Sequence, residues 1–188
     1  MKRLAVFASG NGSNFQAIFD QIKKGALDAE IALVVCDKPE AGVIERAKKA
    51  EIPVFSFVPK EYDSKAHFEG DILAALHQHQ IDYVILAGYM RLIGPTLLDA
   101  YANKIVNIHP SLLPAFPGKD AIGQAFHAGV KVTGVTVHYV DAGMDTGPII
   151  AQQAIDITND DTVETIAEKV HKVEHALYPK VIKELVSK

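Results

Sequence analysis

Asn107 and His109 are the residues whose types and spacing best suit catalysis. They stand at the end of an apolar run, residues 104–108, that is typical of a strand, and Pro110 ends it because proline lacks the N–H of a strand ladder. Side chains two residues apart on a strand point to the same side, so the amide and the imidazole are predicted to lie together. Such a pair could stabilise a developing negative charge.

A glycine-rich segment lies between the first predicted strand and its helix. Glycines let the backbone approach a ligand, and the free N–H groups of a first helical turn favour an anion. A phosphate site is therefore predicted at Gly10, Asn11, Gly12, Ser13 and Asn14, and a tight turn without a ligand is the alternative. A dinucleotide fingerprint would need glycine where Phe15 stands, but Asp37 ends the second strand as a ribose-binding acid would, so a dehydrogenase stays open.

The loop of residues 141–148 is rich in turn formers and carries two carboxylates. It is either a solvated turn or a segment that brings one carboxylate against His109, where an anion would favour the charged imidazolium. The sequence gives less support to a metal site. His171 and His175 have the i, i+4 spacing of metal ligands, but no third ligand has suitable spacing.

The apolar patterns predict an α/β fold with a doubly wound, mostly parallel, Rossmann-like sheet. After residue 115 apolar and polar residues alternate, which predicts antiparallel strands at the C-terminal edge. Ser13 and Asp63 are predicted helix caps, and Pro179 is predicted to interrupt or kink the last helix. Strands are predicted at 4–8, 31–36, 53–56, 83–87, 104–108, 132–140 and 149–157, and helices at 13–24, 41–50, 63–79, 95–101 and from 161 onward.

Composition narrows the class of protein. The 188 residues contain no Pro- or Ser-rich linker, so a single domain, 1–188, is expected. The net charge of −4 argues against general affinity for nucleic acid or acidic membranes. The only cysteine, Cys36, lies in an apolar strand and is predicted to be buried filler. No leader and no apolar run of about 18 residues is found, so a cytoplasmic location is expected.

Together these motifs resemble the phosphoribosylglycinamide formyltransferase family, a branch of the folate-dependent formyltransferases, over nearly the whole chain. The run Asn107-Ile108-His109-Pro110-Ser111-Leu112-Leu113-Pro114 marks the wider group. The opening Gly10-Asn11-Gly12-Ser13-Asn14 and the late Glu174-His175 indicate the glycinamide ribonucleotide branch. The other shared segments are residues 86–91, 117–118, 134–138 and 145–148. The resemblance implies ribonucleotide binding in the N-terminal half, and folate binding and catalysis in the C-terminal half.

The resemblance also implies which residues contact the two substrates. The 10–14 loop would bind the substrate phosphate, Glu174 the ribose hydroxyls, and His171 and Lys172 would assist the phosphate. Lys65 would lie near the glutamate tail of the folate, although a lysine there lacks the planar fork of arginine. The remaining folate contacts would be Met90, Arg91, Leu92, Ile93, Asn107, Asp141, Ala142, Gly143, Met144 and Asp145.

The reaction that the resemblance implies is direct formyl transfer from 10-formyltetrahydrofolate, as co-substrate, to the glycine amine of 5′-phosphoribosylglycinamide. Protonated His109 and the Asn107 amide would stabilise the oxyanion, and Asp145 would keep His109 charged and oriented. The scheme requires neither a metal nor a covalent enzyme intermediate. Small molecules would be the only partners of a monomer or homodimer, and the Leu113–Pro114 bond is predicted to be cis.

Three other functions compete with this interpretation. Formyltetrahydrofolate deformylase shares the Asn-His-Asp set but uses water as acceptor, and it would carry an N-terminal regulatory module that is not expected here. Methionyl-tRNA formyltransferase usually carries a C-terminal RNA-binding domain, which is also not expected in this negatively charged chain. A nucleotide-binding sensor without catalysis would explain the phosphate loop but not the Asn107, His109 and Asp145 set.

Overall fold

A seven-stranded sheet lies at the centre of the computed structural model, which describes residues 1–188. The strands are β1 (Lys2–Ala8), β2 (Ala29–Cys36), β3 (Val54–Ser56), β4 (Tyr83–Leu86), β5 (Ile105–His109), β6 (Val132–Tyr139) and β7 (Ile149–Asp156). The helices are α1 (Ser13–Lys23), α2 (Gly42–Lys49), α3 (Lys65–Gln78), α4 (Pro95–Ala100), α5 (Ala121–Ala128) and α6 (Val163–Val186), with a short 3₁₀ turn at Pro59–Glu61.

The strand order is β3-β2-β1-β4-β5-β6-β7, and the order reverses direction between β1 and β4. The first five strands pair in parallel, while β6 and β7 add to the β5 edge in antiparallel fashion. This arrangement confirms the predicted fold class. In open α/β sheets, ligands bind outside the carboxyl ends of the strands at such a reversal point.

Both faces of the sheet are covered, as the near-continuous apolar strands predict. Leu4 and Val6 of β1 belong to a core shared with α1, α2 and α6. Ala5 and Phe7 point to the opposite face and pack in a second core with α3 and α4. The alternation follows from the period of two residues in a strand. A rigid two-sided core thus fixes the strand ends that carry the polar residues.

The structure corrects two sequence-based expectations about helix caps and adds one helix. Ser13 lies inside α1 and the N-cap is Gly12, which makes no side-chain cap. Ser64, not Asp63, caps α3 by accepting a hydrogen bond from the His67 N–H. Helix α5 is absent from the sequence-based prediction. Two local features mark its ends: the Asp120 side chain caps its first turn, and Gly129 ends it with a left-handed backbone.

Pro179 does not interrupt α6, which runs from Val163 to Val186 and begins with a capping box at Thr162. Proline removes one backbone hydrogen bond, but this part of the helix is held by tertiary contacts. Pro179 is buried, and the neighbouring Tyr178 hydroxyl is shared between the carbonyls of Leu86 (2.7 Å) and Val106 (3.1 Å). Helix α6 is therefore anchored to the carboxyl half of β4 and to β5.

Cys36 is fully buried at the end of β2 and forms no disulfide, as predicted. Burial raises the pKa of its thiol above the ordinary value. The Leu113–Pro114 peptide bond is cis, as predicted. No helix of the structure combines the length and apolarity needed to cross a membrane.

Candidate active site

A cavity of about 600 Å³ opens at the carboxyl ends of β4 and β5. Three segments form its walls: the loop 88–93 after β4, the end of β5 with the segment 118–122, and the loop that follows β6. Asn107 and His109 both line it, so the structure brings the two polar side chains of β5 to one side of the strand. Asp145 lines the same cavity from the loop after β6.

His109 is buried, and both of its ring nitrogens face hydrogen-bond acceptors. Nε2 lies 2.9 Å from the carbonyl oxygen of Phe116, and Nδ1 lies 3.6 Å from Oδ2 of Asp145. A carbonyl oxygen can only accept, so Nε2 donates its proton there, and a neutral imidazole would then have no proton for the carboxylate. Only a ring that carries a proton on each nitrogen could donate to both groups at once.

Asp145 is held in place by the backbone as well as by imidazoles. Its Oδ2 accepts a hydrogen bond from the Gly118 N–H at 2.8 Å, and its side chain is mostly buried. Asp145 and Phe116 both have left-handed backbones, with φ of 56° and 52°. Such conformations are uncommon outside glycine and concentrate at functional sites. Two strained residues thus aim a carboxylate and a carbonyl at the same histidine.

The rest of the 141–145 loop is exposed but ordered by its own side chains. Asp141 accepts hydrogen bonds from the Thr146 hydroxyl (2.6 Å) and the Gly143 N–H (3.0 Å). These two bonds lower the pKa of the Asp141 carboxyl. Asp141, Gly143 and Met144 line the cavity, whereas Ala142 does not. The loop therefore presents most, but not all, of the residues expected at a folate site.

His138 is a residue of the site that sequence reasoning quoted within a motif without giving it a role. It is buried opposite Asn107 in the β5–β6 ladder. Its Nδ1 lies 2.8 Å from the Tyr139 carbonyl and must donate there, which leaves Nε2 free to accept from Nδ2 of Asn107 at 3.4 Å. Nε2 also lies 4.0 Å from Oδ1 of Asp145. The alternation of apolar and polar residues in β6 is the sequence feature that could have indicated a role for His138.

The loop after β4 lines the opposite wall and carries Met90, Arg91, Leu92 and Ile93. Met90 and Leu92 are exposed apolar side chains, whereas Ile93 is buried in the core. Arg91 Nε donates to Oδ2 of buried Asp37 at 2.8 Å. Asp37, the residue that kept a dehydrogenase function open, is therefore engaged in an ion pair.

Lys65 lies outside this wall, at the first turn of α3. Its ammonium group donates to the Leu92 carbonyl at 2.8 Å. It does not line the cavity.

The glycine-rich segment forms the second candidate region, between β1 and α1. Gly12 has φ of 85°, and a Cβ at this position would lie 2.8 Å from Cβ of Val43, so only glycine fits. Arg46, which sequence reasoning missed, fixes Asn11 through its carbonyl (2.8 Å) and its side-chain Oδ1 (2.7 Å). No local pattern marks Arg46, because the contact joins residues 35 positions apart.

Glu174 on α6 is buried beside this segment. Its Oε2 lies 3.4 Å from Nδ2 of Asn14 and 3.2 Å from Nδ1 of His171, and the bond to Glu174 raises the pKa of His171. The Lys172 side chain is exposed and forms no hydrogen bond or ion pair. The His171 and His175 rings stack 6.4 Å apart, and the structure contains no cluster of three or more His, Cys, Asp or Glu side chains arranged for a metal ion.

A family profile described as "Formyl transferase" matches residues 2–182. The chain belongs to the formyl transferase family. This finding confirms the family expected from the sequence motifs. The protein is 64% identical to the phosphoribosylglycinamide formyltransferase of Bacillus subtilis (strain 168), over 99% of this chain and 95% of that protein.

Solved structures of other formyl transferases have the same fold. The phosphoribosylglycinamide formyltransferase of Bacillus halodurans superposes with a TM-score of 0.97 at 59% identity, covering 100% of this chain and 96% of that one. Glycinamide ribonucleotide transformylase 1 of Geobacillus kaustophilus gives a TM-score of 0.96 at 65% identity, with 98% of each chain covered.

Proposed function

We propose that this formyl transferase moves the formyl group of 10-formyltetrahydrofolate to the glycine amine of 5′-phosphoribosylglycinamide. The products are the N-formyl ribonucleotide and tetrahydrofolate, a step of de novo purine biosynthesis. The names of relatives at 64% and 59% identity support the reaction. The structural observation that carries it is the arrangement of Asn107, His109 and Asp145 around one cavity.

In the proposed mechanism the amine lone pair attacks the formyl carbon and forms a tetrahedral intermediate with an oxyanion. The charged His109 ring and the Asn107 amide donate hydrogen bonds to that oxyanion. The bond between the formyl carbon and N10 of the folate then breaks, and a proton lost by the amine reaches N10 through a water molecule. The nucleophile and leaving group are both nitrogens of the substrates, so the protein supplies positioning and charge.

The contact between His109 and Phe116 gives the donor proton a defined position before reaction. Nε2 donates to the Phe116 carbonyl at 2.9 Å in the structure. When the formyl donor occupies the cavity, the growing oxyanion would replace that carbonyl as the acceptor. Asp145, 3.6 Å from Nδ1, would keep the ring charged throughout. Asn107 would use one amide hydrogen for His138 and the other for the oxyanion.

The two substrates would bind neighbouring regions of a single domain, residues 1–188, with the amine and the formyl group meeting between them. The phosphate would bind the N–H groups at Gly10, Asn11, Gly12, Ser13 and Asn14, and Glu174 would accept from the ribose hydroxyls. The folate would lie along Met90, Arg91, Leu92 and Ile93, against the 141–145 loop. His171 is suitably placed beside Glu174 to assist at the ribonucleotide end, while exposed Lys172 has less structural support. We also propose that the protein is a cytoplasmic monomer or homodimer.

The decisive experiment measures tetrahydrofolate release from 10-formyltetrahydrofolate with and without glycinamide ribonucleotide. We expect release only when the acceptor is present, together with formylated ribonucleotide detected by mass spectrometry. Release without acceptor would indicate the deformylase reaction, and no release in either case would indicate a sensor. A formylated protein trapped during turnover would contradict direct transfer.

A further inference from the structure

One face of α3 contacts the short segment 92–94, of which Leu92 and Ile93 line the cavity. Lys65 and Glu69 are four residues apart on this helix, so they share a face. Nζ of Lys65 donates to the Leu92 carbonyl at 2.8 Å, and Oε2 of Glu69 accepts from the Gly94 N–H at 2.8 Å. Two oppositely charged side chains thus bind the two polar backbone groups that bracket Ile93.

Glu69 is almost completely buried, with 1% of its surface exposed, and its second oxygen, Oε1, has no hydrogen-bond partner. Burial raises the pKa of this carboxyl, and the hydrogen bond from the Gly94 N–H opposes that effect. A buried carboxyl is unfavourable unless its contacts compensate. The formyl-transfer scheme does not use this group, so its placement has to be explained by what it contacts.

Gly94 lies directly on these two side chains. A Cβ at this position would lie 2.5 Å from Oε1 of Glu69 and 3.0 Å from Cδ of Lys65. Gly94 also begins α4 as its N-cap and has no side chain to cap the helix. The backbone at Gly94 therefore lies so close to α3 that a larger residue would collide with Glu69, and Glu69 and Lys65 both contact this segment.

We propose that Glu69 and Lys65 are positioning residues for the formyl donor, acting through the backbone of residues 92–94. The inference rests on the proposed function, since it takes the loop that carries Met90 and Leu92 as the folate-binding wall. It also changes the expected role of Lys65. Its ammonium group is engaged by the Leu92 carbonyl, so Lys65 shapes the wall and its contribution does not depend on the glutamate tail of the folate.

The first test compares Glu69→Leu with Glu69→Gln in steady-state kinetics. Leucine leaves the buried Gly94 N–H without an acceptor, so we expect KM for 10-formyltetrahydrofolate to rise about tenfold. The kcat and the KM for glycinamide ribonucleotide should stay within about twofold of wild type. Glutamine retains an acceptor oxygen and should keep the donor KM near wild type. Equal donor KM values for folded Glu69→Leu and wild type would overturn the proposal.

The second test uses Lys65→Met and a formyl donor that lacks the glutamate tail. A positioning role predicts that the substitution raises KM by a similar factor, about threefold to tenfold, for the full donor and for the shortened one. An effect that disappears with the shortened donor would show that Lys65 binds the tail, contrary to the proposal. Because Lys65 is exposed, this variant decides the question even if Glu69→Leu does not fold.

Asp71→Asn is the matched control, because Asp71 is an exposed acid on α3 that contacts Tyr62 and not the loop. Its donor KM should equal that of wild type. Turnover of the wild-type protein distinguishes a failure of the positioning role from a failure of the proposed function. If wild type transfers formyl groups and the Glu69 and Lys65 variants keep normal donor KM values, only the positioning role fails. If wild type neither binds tetrahydrofolate nor transfers formyl groups, the proposed function fails.

Discussion

The two ends of the candidate site are built in different ways. At the proposed ribonucleotide end, a partly exposed glycine-rich turn offers backbone N–H groups, and Arg46 of α2 contacts it through Asn11. At the proposed formyl-transfer end, buried His109 and His138 flank a largely buried carboxylate, and each ring nitrogen faces a specific partner.

The difference indicates a division of work between the two ends. The first region can bind an anion without a special charge state of its own, whereas the second depends on where individual protons lie. Substitutions at the two ends should therefore change different kinetic constants, and the predictions below test that separation.

The largest effect is expected at the formyl-transfer end. Asn107→Ala removes one oxyanion donor, and we expect kcat to fall by about 10² to 10³, or about 3–4 kcal/mol in the transition state. KM for glycinamide ribonucleotide should change little, because Asn107 lies outside the glycine-rich turn. Single-turnover formyl transfer measures the loss, with exposed Asn159→Ala as control. Near-normal turnover in folded Asn107→Ala would remove the oxyanion role.

At the proposed ribonucleotide end, substitution of Gly12 is expected to lower the stability of the protein. In Gly12→Ala the new methyl group would lie 2.8 Å from Cβ of Val43 on a left-handed backbone, so we expect the free energy of unfolding to fall by about 1–3 kcal/mol. Urea denaturation measures the change. Gly10→Ala is the matched control, because nothing lies within 4 Å of a Cβ there and its φ is not left-handed. Equal losses in both variants would contradict the special role of Gly12.

Glu174→Gln should change binding without changing chemistry. The substitution removes the charge that would accept from the ribose hydroxyls, so we expect KM for glycinamide ribonucleotide to rise about tenfold while kcat and the donor KM stay near wild type. Initial-rate kinetics with each substrate varied in turn provide the measurement. A fall in kcat as large as that of Asn107→Ala would show that the two ends do not act separately.

The smallest expected effect is a pH dependence at the ribonucleotide end. Glu174 raises the pKa of His171 above its ordinary value of 6.5 in the folded protein. The pair therefore stabilises the fold fully below pH 6.5, and this stabilisation is lost as the pH rises through the folded pKa. We expect His171→Asn to be more destabilising at about pH 5.5 than at about pH 8.5, by a small amount because the ring is partly exposed. When Glu174→Gln is already present, His171→Asn should be equally destabilising at both pH values.

Strand positions, and the placement of Asn107 and His109 on one side of β5, could be predicted from sequence because they depend on local pattern. Apolar runs gave all seven strands to within two residues, and the proline after His109 marked the strand end. Local cues failed where two signals competed. Asp63 and Ser64 are both good caps, and only the helix geometry selects Ser64. Pro179 predicts a break, but burial of α6 against the sheet overrides it.

Apart from His109 with Asp145, which the family resemblance implies, the contacts that organise the site could not be predicted, because they join residues far apart in sequence. His138 contacts Asn107 across 31 positions, and Glu69 contacts Gly94 across 25. Neither pair has a characteristic spacing, since the separations depend on the lengths of intervening loops and helices. The sequence therefore predicts which side chains could do the chemistry, and the fold decides which neighbours orient them.

The solitary thiol of Cys36 has a practical consequence. It is the only cysteine in the chain, it is fully buried at the end of β2, and it immediately precedes Asp37, the ion-pair partner of Arg91. A thiol reagent can reach it only when that corner of the sheet opens, so the modification rate reports a local opening equilibrium. Ligands that bind the cavity wall should slow the modification, which gives a binding assay that needs neither turnover nor an engineered label.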